Sequence, residues 1–260
     1  MRDRRKAGRS RIVAHRGATH HAPENTLAAL EQAIALGADG VEFDVRRTQD
    51  GVLILHHDPE LRGQAIGDLT FEQVQAIAPH IPTLSAALQT CAGRIGVDVE
   101  LKEPGYEAAV VEALEQHYPN GDRVLTSFHP PVVSRLKQYA PHLPVGLLVE
   151  AAGDRPDDRA TFHQTLSFQA VRSLGADFLA PHWSLVTPEF LAIAAQQQIP
   201  LWLWTVNDPA QIAQWLKDDR IAALITDILQ QAIAIADATL PLSGELPEAP
   251  LQTSYPGFSG

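Results

Sequence analysis

The chain has 260 residues, of which 45% are hydrophobic and 20% are charged, and its formal net charge is −11. A chain of this length is sufficient to bury the core of one large domain or of two small ones. Its negative charge argues against nucleic acid as a partner, because nucleic acid binds a basic surface. The single cysteine, Cys91, excludes an intrachain disulfide framework and a cysteine-based zinc site.

The two ends of the chain differ in composition from the rest. Residues 1–11 carry six basic side chains against one acidic side chain, and residues 240–260 contain four prolines, three glycines and three serines. These compositions predict a basic N-terminal arm over 1–11 and a flexible tail over 240–260, with a folded body over 12–239. No segment has the roughly 18 apolar residues of a membrane span, and the N-terminus lacks an apolar secretory segment. We therefore expect a cytoplasmic protein without stable membrane insertion.

Short β-rich runs alternate with amphipathic helical segments along the body. Helix starts are indicated by a capping side chain or a proline, as at Pro23-Glu24-Asn25-Thr26 and Thr187-Pro188. The predicted elements, in chain order, are strand Ile12–His15, helix Thr26–Leu36, strands Gly40–Arg46 and Arg94–Lys102, helix Tyr106–His117, strand Val124–Phe128, helix Val132–Tyr139, strand Pro144–Val149, helix Thr161–Leu174, strand Phe178–Pro181, helix Pro188–Gln197, strand Pro200–Val206, helix Pro209–Lys217 and strand Ile221–Thr226.

Eight strands that alternate with helices predict an α/β fold, namely a closed (β/α)8 TIM barrel. The alternative is an open doubly wound sheet. Such a sheet usually has a glycine-rich turn after its first strand, and His15-Arg16-Gly17 contains one glycine.

The alternation is interrupted after the second strand. Asp50-Gly51 lies between two β-rich runs and predicts a hairpin, which would return His57 to the barrel mouth. Residues 58–93 contain one predicted helix, Thr70–Ile77, and no predicted barrel strand. We interpret them as a short insertion that forms a lid over the mouth.

Acidic side chains share the inner face of two barrel strands. Glu42 and Asp44 lie two residues apart on the second strand, and Glu100 and Lys102 repeat that spacing on the next. An ion pair between Lys102 and Glu42 or Glu100 is one explanation of these buried charges. The excess of carboxylates favours a divalent cation instead, and oxygen ligands suit Mg²⁺ or Ca²⁺.

Two histidines are predicted to lie beside these carboxylates. His15 ends the first strand, where barrel enzymes present catalytic groups, and His57 ends the hairpin. A metal ion and an acid–base pair suffice for hydrolysis. His56 has the opposite parity to His57, so we expect one of the two to face the site.

These residues belong to a series of motifs that resembles the glycerophosphodiester phosphodiesterase family. The resemblance covers the whole body in order. The motifs are His15-Arg16-Gly17, Pro23-Glu24-Asn25-Thr26-Leu27, Gly37-Ala38-Asp39-Gly40-Val41-Glu42-Phe43-Asp44-Val45, Thr48-x-Asp50-Gly51, His57-Asp58, Ile81-Pro82-Thr83-Leu84, Val99-Glu100-Leu101-Lys102, Trp204-Thr205-Val206-Asn207 and Ile225-Thr226-Asp227.

The resemblance implies a hydrolase of lipid and glycerol metabolism. It would cleave a small-molecule glycerophosphodiester to an alcohol and sn-glycerol 3-phosphate, through a cyclic glycerol phosphate. The implied residues are Glu42, Asp44 and Glu100 as ligands of one divalent cation, His15 and His57 as the acid–base pair, and Arg16 and Lys102 as phosphate contacts.

Aromatic residues and the insertion bear on the substrate. Trp204 is predicted to line the glycerol pocket, and Phe128 and Trp183 are further candidates or core residues. Residues 59–70 are shorter than the corresponding segment usual in the family, which predicts a smaller lid and a more open site.

Three other functions are compatible with parts of this pattern. A phospholipase of the same chemistry would need an apolar or basic membrane-contact surface. A glycoside hydrolase places two carboxylates at a barrel mouth, but it does not account for two histidines, a third carboxylate and a lysine. A binding barrel without activity would be expected to lack at least one of the residues proposed for catalysis or metal binding.

Overall fold

A computed structural model describes residues 10–150 and 168–239 of the chain. Its strands, in chain order, are β1 Arg11–Ala14, β2 Gly40–Arg47, β3 Leu53–Leu55, β4 Glu60–Leu61, β5 Gln64–Ala65, β6 Gly96–Leu101, β7 Arg123–Ser127, β8 Val145–Val149, β9 Phe178–Pro181, β10 Leu201–Leu203 and β11 Ile221–Thr226. The parallel strands follow one another in the order β1, β2, β6, β7, β8, β9, β10 and β11, and β1 pairs with both β2 and β11. The sheet therefore closes, and the predicted (β/α)8 barrel is confirmed.

Helices lie between the strands along the described chain, and one follows β11. They are α1 Leu27–Leu36, α2 Phe71–Ile77, α3 Leu84–Cys91, α4 Glu107–His117, α5 Pro130–Tyr139, α6 over residues 168–174, α7 Pro188–Gln197, α8 Pro209–Trp215 and α9 Leu229–Thr239. The predicted start signals act as expected. Thr26 caps α1 by accepting from the amide of Ala29, and proline occupies the first turn of α7 and α8.

The core has two parts, which follow from the alternation of side chains along each strand. On β2, Val41, Phe43 and Val45 point outward and pack against the helices, and all are fully buried. Inside the barrel, a second cluster contains Val13 and the stacked pair Phe178 and Trp202, whose ring centroids lie 4.8 Å apart. This cluster fills the barrel interior below its polar mouth.

The insertion differs from the prediction in one respect. A second helix, α3, lies within residues 58–93 and packs between α1 and α4, which makes it the barrel helix that precedes β6. The hairpin of β4 and β5, together with α2, forms the remaining excursion and has its own small apolar core. The sequence contains signals for α3 that the prediction did not use: Thr83 caps it by accepting from the amide of Ala86, and Leu84, Ala87, Leu88 and Cys91 form its buried face.

The barrel begins slightly earlier than predicted. Ser10 is buried and its hydroxyl donates to the carbonyl of Ile221 at 2.7 Å, while Arg11 opens β1. The rest of the predicted arm, the tail over 240–260 and the first part of the predicted helix Thr161–Leu174 lie outside the described residues. Within the described ranges, the helices are too short or too polar to cross a membrane.

Candidate active site

Three carboxylates meet inside the mouth of the barrel. Glu42 and Asp44 lie on one face of β2, and the register of the sheet places Asp44 opposite Glu100 on β6. Each side chain offers one oxygen, and these oxygens lie within 4.8 Å of one another. The three residues are buried, with exposed fractions of 4%, 1% and 8%. The sequence prediction that they converge is confirmed.

Two cationic side chains contact this cluster. Lys102 Nζ lies 2.6 Å from Glu100 Oε1 and 3.3 Å from Asp44 Oδ1. Arg16 Nε lies 3.2 Å from Asp44 Oδ2, and the Arg16 backbone amide donates to Glu42 Oε2 at 2.9 Å. The predicted ion pair of Lys102 with Glu100 is therefore present, and Lys102 pairs with Asp44 as well.

These cations do not balance the negative charge of the site. Asp98, directly opposite Glu42 in the sheet, is a fourth buried carboxylate. Burial raises the pKa of Asp98 to about 8. Burial, and then the charge of Asp44, raise the pKa of Glu100 to about 7. Burial and the neighbouring carboxylates hold the pKa of Glu42 well above its usual value.

The donor set fits a hard divalent cation. Glu42 Oε1 is buried and has no hydrogen-bond partner within the described residues, and a buried carboxylate oxygen of this kind is suited to coordinate a cation. Glu42, Asp44 and Glu100 offer oxygen atoms only, which Mg²⁺ and Ca²⁺ prefer. A cation at this point would also favour the ionised form of every carboxylate around it.

Both predicted histidines line the same cavity, which has a volume of about 330 Å³. His15 Nδ1 lies 2.7 Å from Asp227 Oδ1, and His57 Nδ1 lies 2.8 Å from Asp58 Oδ1. In both rings the carboxylate contacts Nδ1, so Nε2 is the nitrogen that remains for another partner. His56 does not line the cavity and contacts the carbonyl of Glu60 instead, in agreement with the parity argument.

Asn207 holds Asp227 in place for its contact with His15. Asn207 Nδ2 donates to Asp227 Oδ2 at 2.6 Å, and Asn207 Oδ1 accepts from the backbone amide of Asp227 at 2.9 Å. Burial acts to raise the pKa of Asp227, but the hydrogen bonds and charges of His15, Asn207 and Arg16 lower it below its usual value. An ionised Asp227 therefore orients His15.

The loop after β1 has an unusual backbone that brings Arg16 to the site. Arg16 and Asn25 adopt φ angles of 54° and 56°, in the left-handed region. Gly17 is required next to them, because a Cβ there would lie 2.6 Å from the Cβ of Ala29. Asn25 joins this loop to the site: its Nδ2 donates to Asp44 Oδ2 at 2.8 Å and its Oδ1 accepts from the Asp44 amide at 3.1 Å.

The opposite wall of the cavity is aromatic and apolar. Phe128 and Trp204 meet edge to face with centroids 5.3 Å apart, and Lys102 Nζ lies 5.7 Å from the centre of the Phe128 ring. Trp204 is held by a hydrogen bond from its Nε1 to the carbonyl of Ala180 at 2.7 Å. Trp183 does not line this cavity and borders a separate groove between α7 and α8.

The residues that support the site were less visible in the sequence. Asn25, Asp58, Asn207 and Asp227 lie in the motifs described above, but no spacing rule paired them with the residues they hold. The available signal for these supporting residues was the position of a polar side chain next to a strand end or next to a histidine. No residue of 58–93 lines the cavity. The segment contacts the site through Asp58, which lies against the ring of His57.

A closed (β/α)8 barrel whose mouth holds a carboxylate cluster, two histidines and two cations defines a barrel hydrolase for a charged substrate. Residues 15–230 match the model of the glycerophosphoryl diester phosphodiesterase family. The chain belongs to this family, and its enzyme class is that of the glycerophosphodiester phosphodiesterases.

Individual relatives match over most of their length. The chain is 30% identical over 255 residues to a glycerophosphodiester phosphodiesterase of Bacillus altitudinis, with 88% of this chain and 98% of that protein covered. It is 28% identical to one from Caldanaerobacter subterraneus, with coverage of 83% and 93%. A phosphodiesterase of Oleispira antarctica, solved in complex with the product sn-glycerol-3-phosphate, is 25% identical with a TM-score of 0.76 and coverage of 88% and 97%.

Proposed function

We propose that this enzyme hydrolyses glycerophosphodiesters to an alcohol and sn-glycerol 3-phosphate by a metal-dependent reaction with two histidines as acid and base. The observation that carries the proposal is the placement of His15 and His57 in one cavity with the carboxylate cluster and with Arg16 and Lys102. The product bound to the Oleispira antarctica relative supports the same chemistry.

Glu42, Asp44 and Glu100 would hold one divalent cation, Mg²⁺ or Ca²⁺. When bound, the cation would supply positive charge to the phosphate oxygens as negative charge develops on them. Glu42, Asp44, Glu100 and Asp98, when ionised, exceed Arg16 and Lys102 by two negative charges, and a divalent cation would offset this excess. The cation would thereby reduce the repulsion of a singly negative phosphodiester from a mouth that is rich in carboxylates.

The two histidines divide the proton transfers. In the first step the glycerol 2-hydroxyl attacks phosphorus, so that a phosphorus–oxygen bond forms to the glycerol and the bond to the departing alcohol breaks. One histidine removes the hydroxyl proton and the other protonates the leaving alkoxide. In the second step the roles exchange: one histidine removes a proton from water, which attacks phosphorus. The bond from phosphorus to the glycerol 2-oxygen breaks, and the other histidine protonates that oxygen to give sn-glycerol 3-phosphate. Each histidine contributes roughly 10²–10⁴-fold to the rate.

The remaining groups position the substrate. Arg16 and Lys102 bind the phosphate oxygens, since both reach the mouth of the barrel from the strand ends of β1 and β6. The apolar faces of Phe128 and Trp204 pack against the carbon atoms of the glycerol. The aromatic contacts bind the substrate equally in its ground state and its transition state, so their loss should act mainly on KM. Arg16 and Lys102 contact the oxygens on which negative charge develops, so their loss should also lower kcat.

Phosphorus NMR tests this proposal directly. Incubation with glycerophosphocholine and Mg²⁺ or Ca²⁺ should replace the diester signal by that of sn-glycerol 3-phosphate. An analogue that lacks the 2-hydroxyl should remain intact, because it has no internal nucleophile. Release of phosphocholine would contradict the proposed bond cleavage, and hydrolysis of the deoxy analogue at the full rate would contradict the cyclic phosphate.

A further inference from the structure

Arg46 is a buried cation that the reaction scheme above does not use. It lies on the same face of β2 as Glu42 and Asp44, because residues two apart on a strand share a face. Its exposed fraction is 6%, and a guanidinium remains charged at every ordinary pH. A buried charge is unfavourable unless it is paired and hydrogen-bonded, so its partners indicate its role.

The partners of Arg46 lie on the segment that carries His57. Arg46 Nε and Nη2 both donate to the backbone carbonyl of His57, at 2.9 Å and 2.7 Å. Strand β3 ends at Leu55, and the amide of His56 donates to the carbonyl of Asp44 at 3.1 Å. The fork of Arg46 thus holds the chain two residues beyond the strand, at the point where His57 enters the cavity.

The third donor of Arg46 joins a further segment of the mouth. Arg46 Nη1 donates to Glu103 Oε2 at 3.1 Å. Tyr106 holds the same loop against β2, because its hydroxyl donates to the carbonyl of Val45 at 2.6 Å and accepts from the Glu103 amide at 3.2 Å. One side chain therefore connects β2, the loop after β6 and the backbone of His57.

We propose that Arg46 is a positioning residue that fixes the backbone of His57, so that the imidazole faces the substrate. The proposal rests on the proposed role of His57 in proton transfer. Arginine suits the position because its planar fork places two donors on one carbonyl and keeps a third for Glu103, whereas a lysine ammonium on a flexible stem does not reproduce this fork.

Substitution of Arg46 by methionine tests the proposal, because methionine keeps an unbranched apolar stem and removes every donor. We expect kcat for glycerophosphocholine to fall by about 10²-fold, the loss typical of a misplaced reacting group. KM should change by less than about threefold, since the phosphate contacts remain. Arg46→Lys should recover part of the rate.

Arg47→Met is the matched control. Arg47 is exposed, donates to the carbonyl of Gly105 at 2.8 Å and lies over the ring of Tyr106. It has the opposite parity to Arg46 on β2, so its loss should leave kcat within about twofold of the unmodified enzyme. The affinity for Ca²⁺ alone, measured by calorimetry, should be unchanged in both variants, since Glu42, Asp44 and Glu100 are intact.

A double-substitution cycle separates positioning from general loosening of the fold. If Arg46 acts through His57, Arg46→Met should change the residual rate of His57→Ala by less than about twofold. Additive losses, or weaker Ca²⁺ binding, would overturn the proposal. Where the residual rate is too small to measure, the ring NMR signals of His57 should shift in Arg46→Met and those of His15 should not; unchanged His57 signals would also overturn it.

Failure of the positioning role and failure of the proposed function give different results. Full activity in His57→Ala would contradict the role of His57 itself. Full activity in Arg46→Met together with inactive His57→Ala would contradict the positioning role alone. If thermal unfolding shows that the methionine variant is not folded, Arg46→Lys and Arg46→Gln provide the same comparison, and full activity in both would count against the proposal.

Discussion

Replacement of Asp227 by asparagine should weaken catalysis through His15. Asn207 is held by the backbone amide of Asp227 and by Thr226, so its Nδ2 continues to point at residue 227 as a donor. The new amide must therefore turn its oxygen towards Asn207 and its NH₂ group towards His15 Nδ1. This arrangement selects the wrong tautomer of the imidazole and removes the counter-charge of the imidazolium.

The size of the effect follows from the exposure of the pair. A hydrogen bond to a charged group contributes about 1.5–3 kcal/mol, and about 1.4 kcal/mol corresponds to a tenfold change in rate. The side chains of His15 and Asp227 are 20% and 31% exposed, so water screens part of the interaction. We therefore use the lower half of the range and expect kcat/KM to fall roughly 10- to 40-fold.

The assay is steady-state cleavage of glycerophosphocholine, with sn-glycerol 3-phosphate quantified by phosphorus NMR. Asp208→Asn is the matched control. It removes the same charge from a neighbouring loop, and asparagine replaces Asp208 well as the cap of α8. A rate for Asp227→Asn equal to that of the control would refute the argument that Asp227 orients His15.

Other predictions concern the site and the core. His15→Ala and His57→Ala should each abolish measurable turnover while the far-UV circular dichroism spectrum remains unchanged; normal turnover in either would exclude that residue from proton transfer. Asn25→Ala should weaken Ca²⁺ binding in calorimetry by about tenfold, because it releases Asp44 from two hydrogen bonds, and unchanged affinity would show that Asp44 needs no support. Burial raises the pKa of the Cys91 thiol to about 12, so the folded protein should not react with a disulfide reagent at neutral pH and the unfolded protein should release one equivalent.

Much of the fold was predictable because most barrel strands are apolar β-rich runs that can be recognised from the local sequence. Apolar β-rich runs such as Phe178–Pro181 and Ile221–Thr226 were predicted with the bounds that the structure has. Helix α3 was not predicted, although Thr83 is its N-cap and Leu84, Ala87, Leu88 and Cys91 have the spacing of a buried helical face. These local signals indicate a short helix, but its place between α1 and α4 depends on tertiary packing that they do not contain.

The site likewise contains residues that were predictable from the local sequence and contacts that were not. Glu42, Asp44 and Glu100 were predictable from strand parity, since parity places side chains on the inner face before any contact is known. The contact of His15 with Asp227 joins residues 212 positions apart, and only closure of the barrel between β1 and β11 brings them together. Spacing along the chain carries no information about such a pair.

Arg46 shows a different limit of sequence reasoning. A charged residue at the end of a strand is typical of a solvated position, and the sequence places another arginine immediately after it. The hairpin turns the chain back over Arg46 and buries it against the carbonyl of His57. Its role depends on a backbone atom of the returning strand, and a backbone carbonyl has no signature in the sequence.

Chelation is the measurement on which the proposed metal-dependent reaction depends. The purified protein is treated with excess EDTA, and cleavage of glycerophosphocholine is followed by phosphorus NMR before and after addition of Mg²⁺ or Ca²⁺ beyond the chelator. We expect turnover to stop under EDTA and to return with one or both cations, and we expect no recovery in Glu42→Gln, which lacks the carboxylate whose Oε1 is buried without a partner. A chelated enzyme that retains its full rate would contradict the metal site and the reaction built on it.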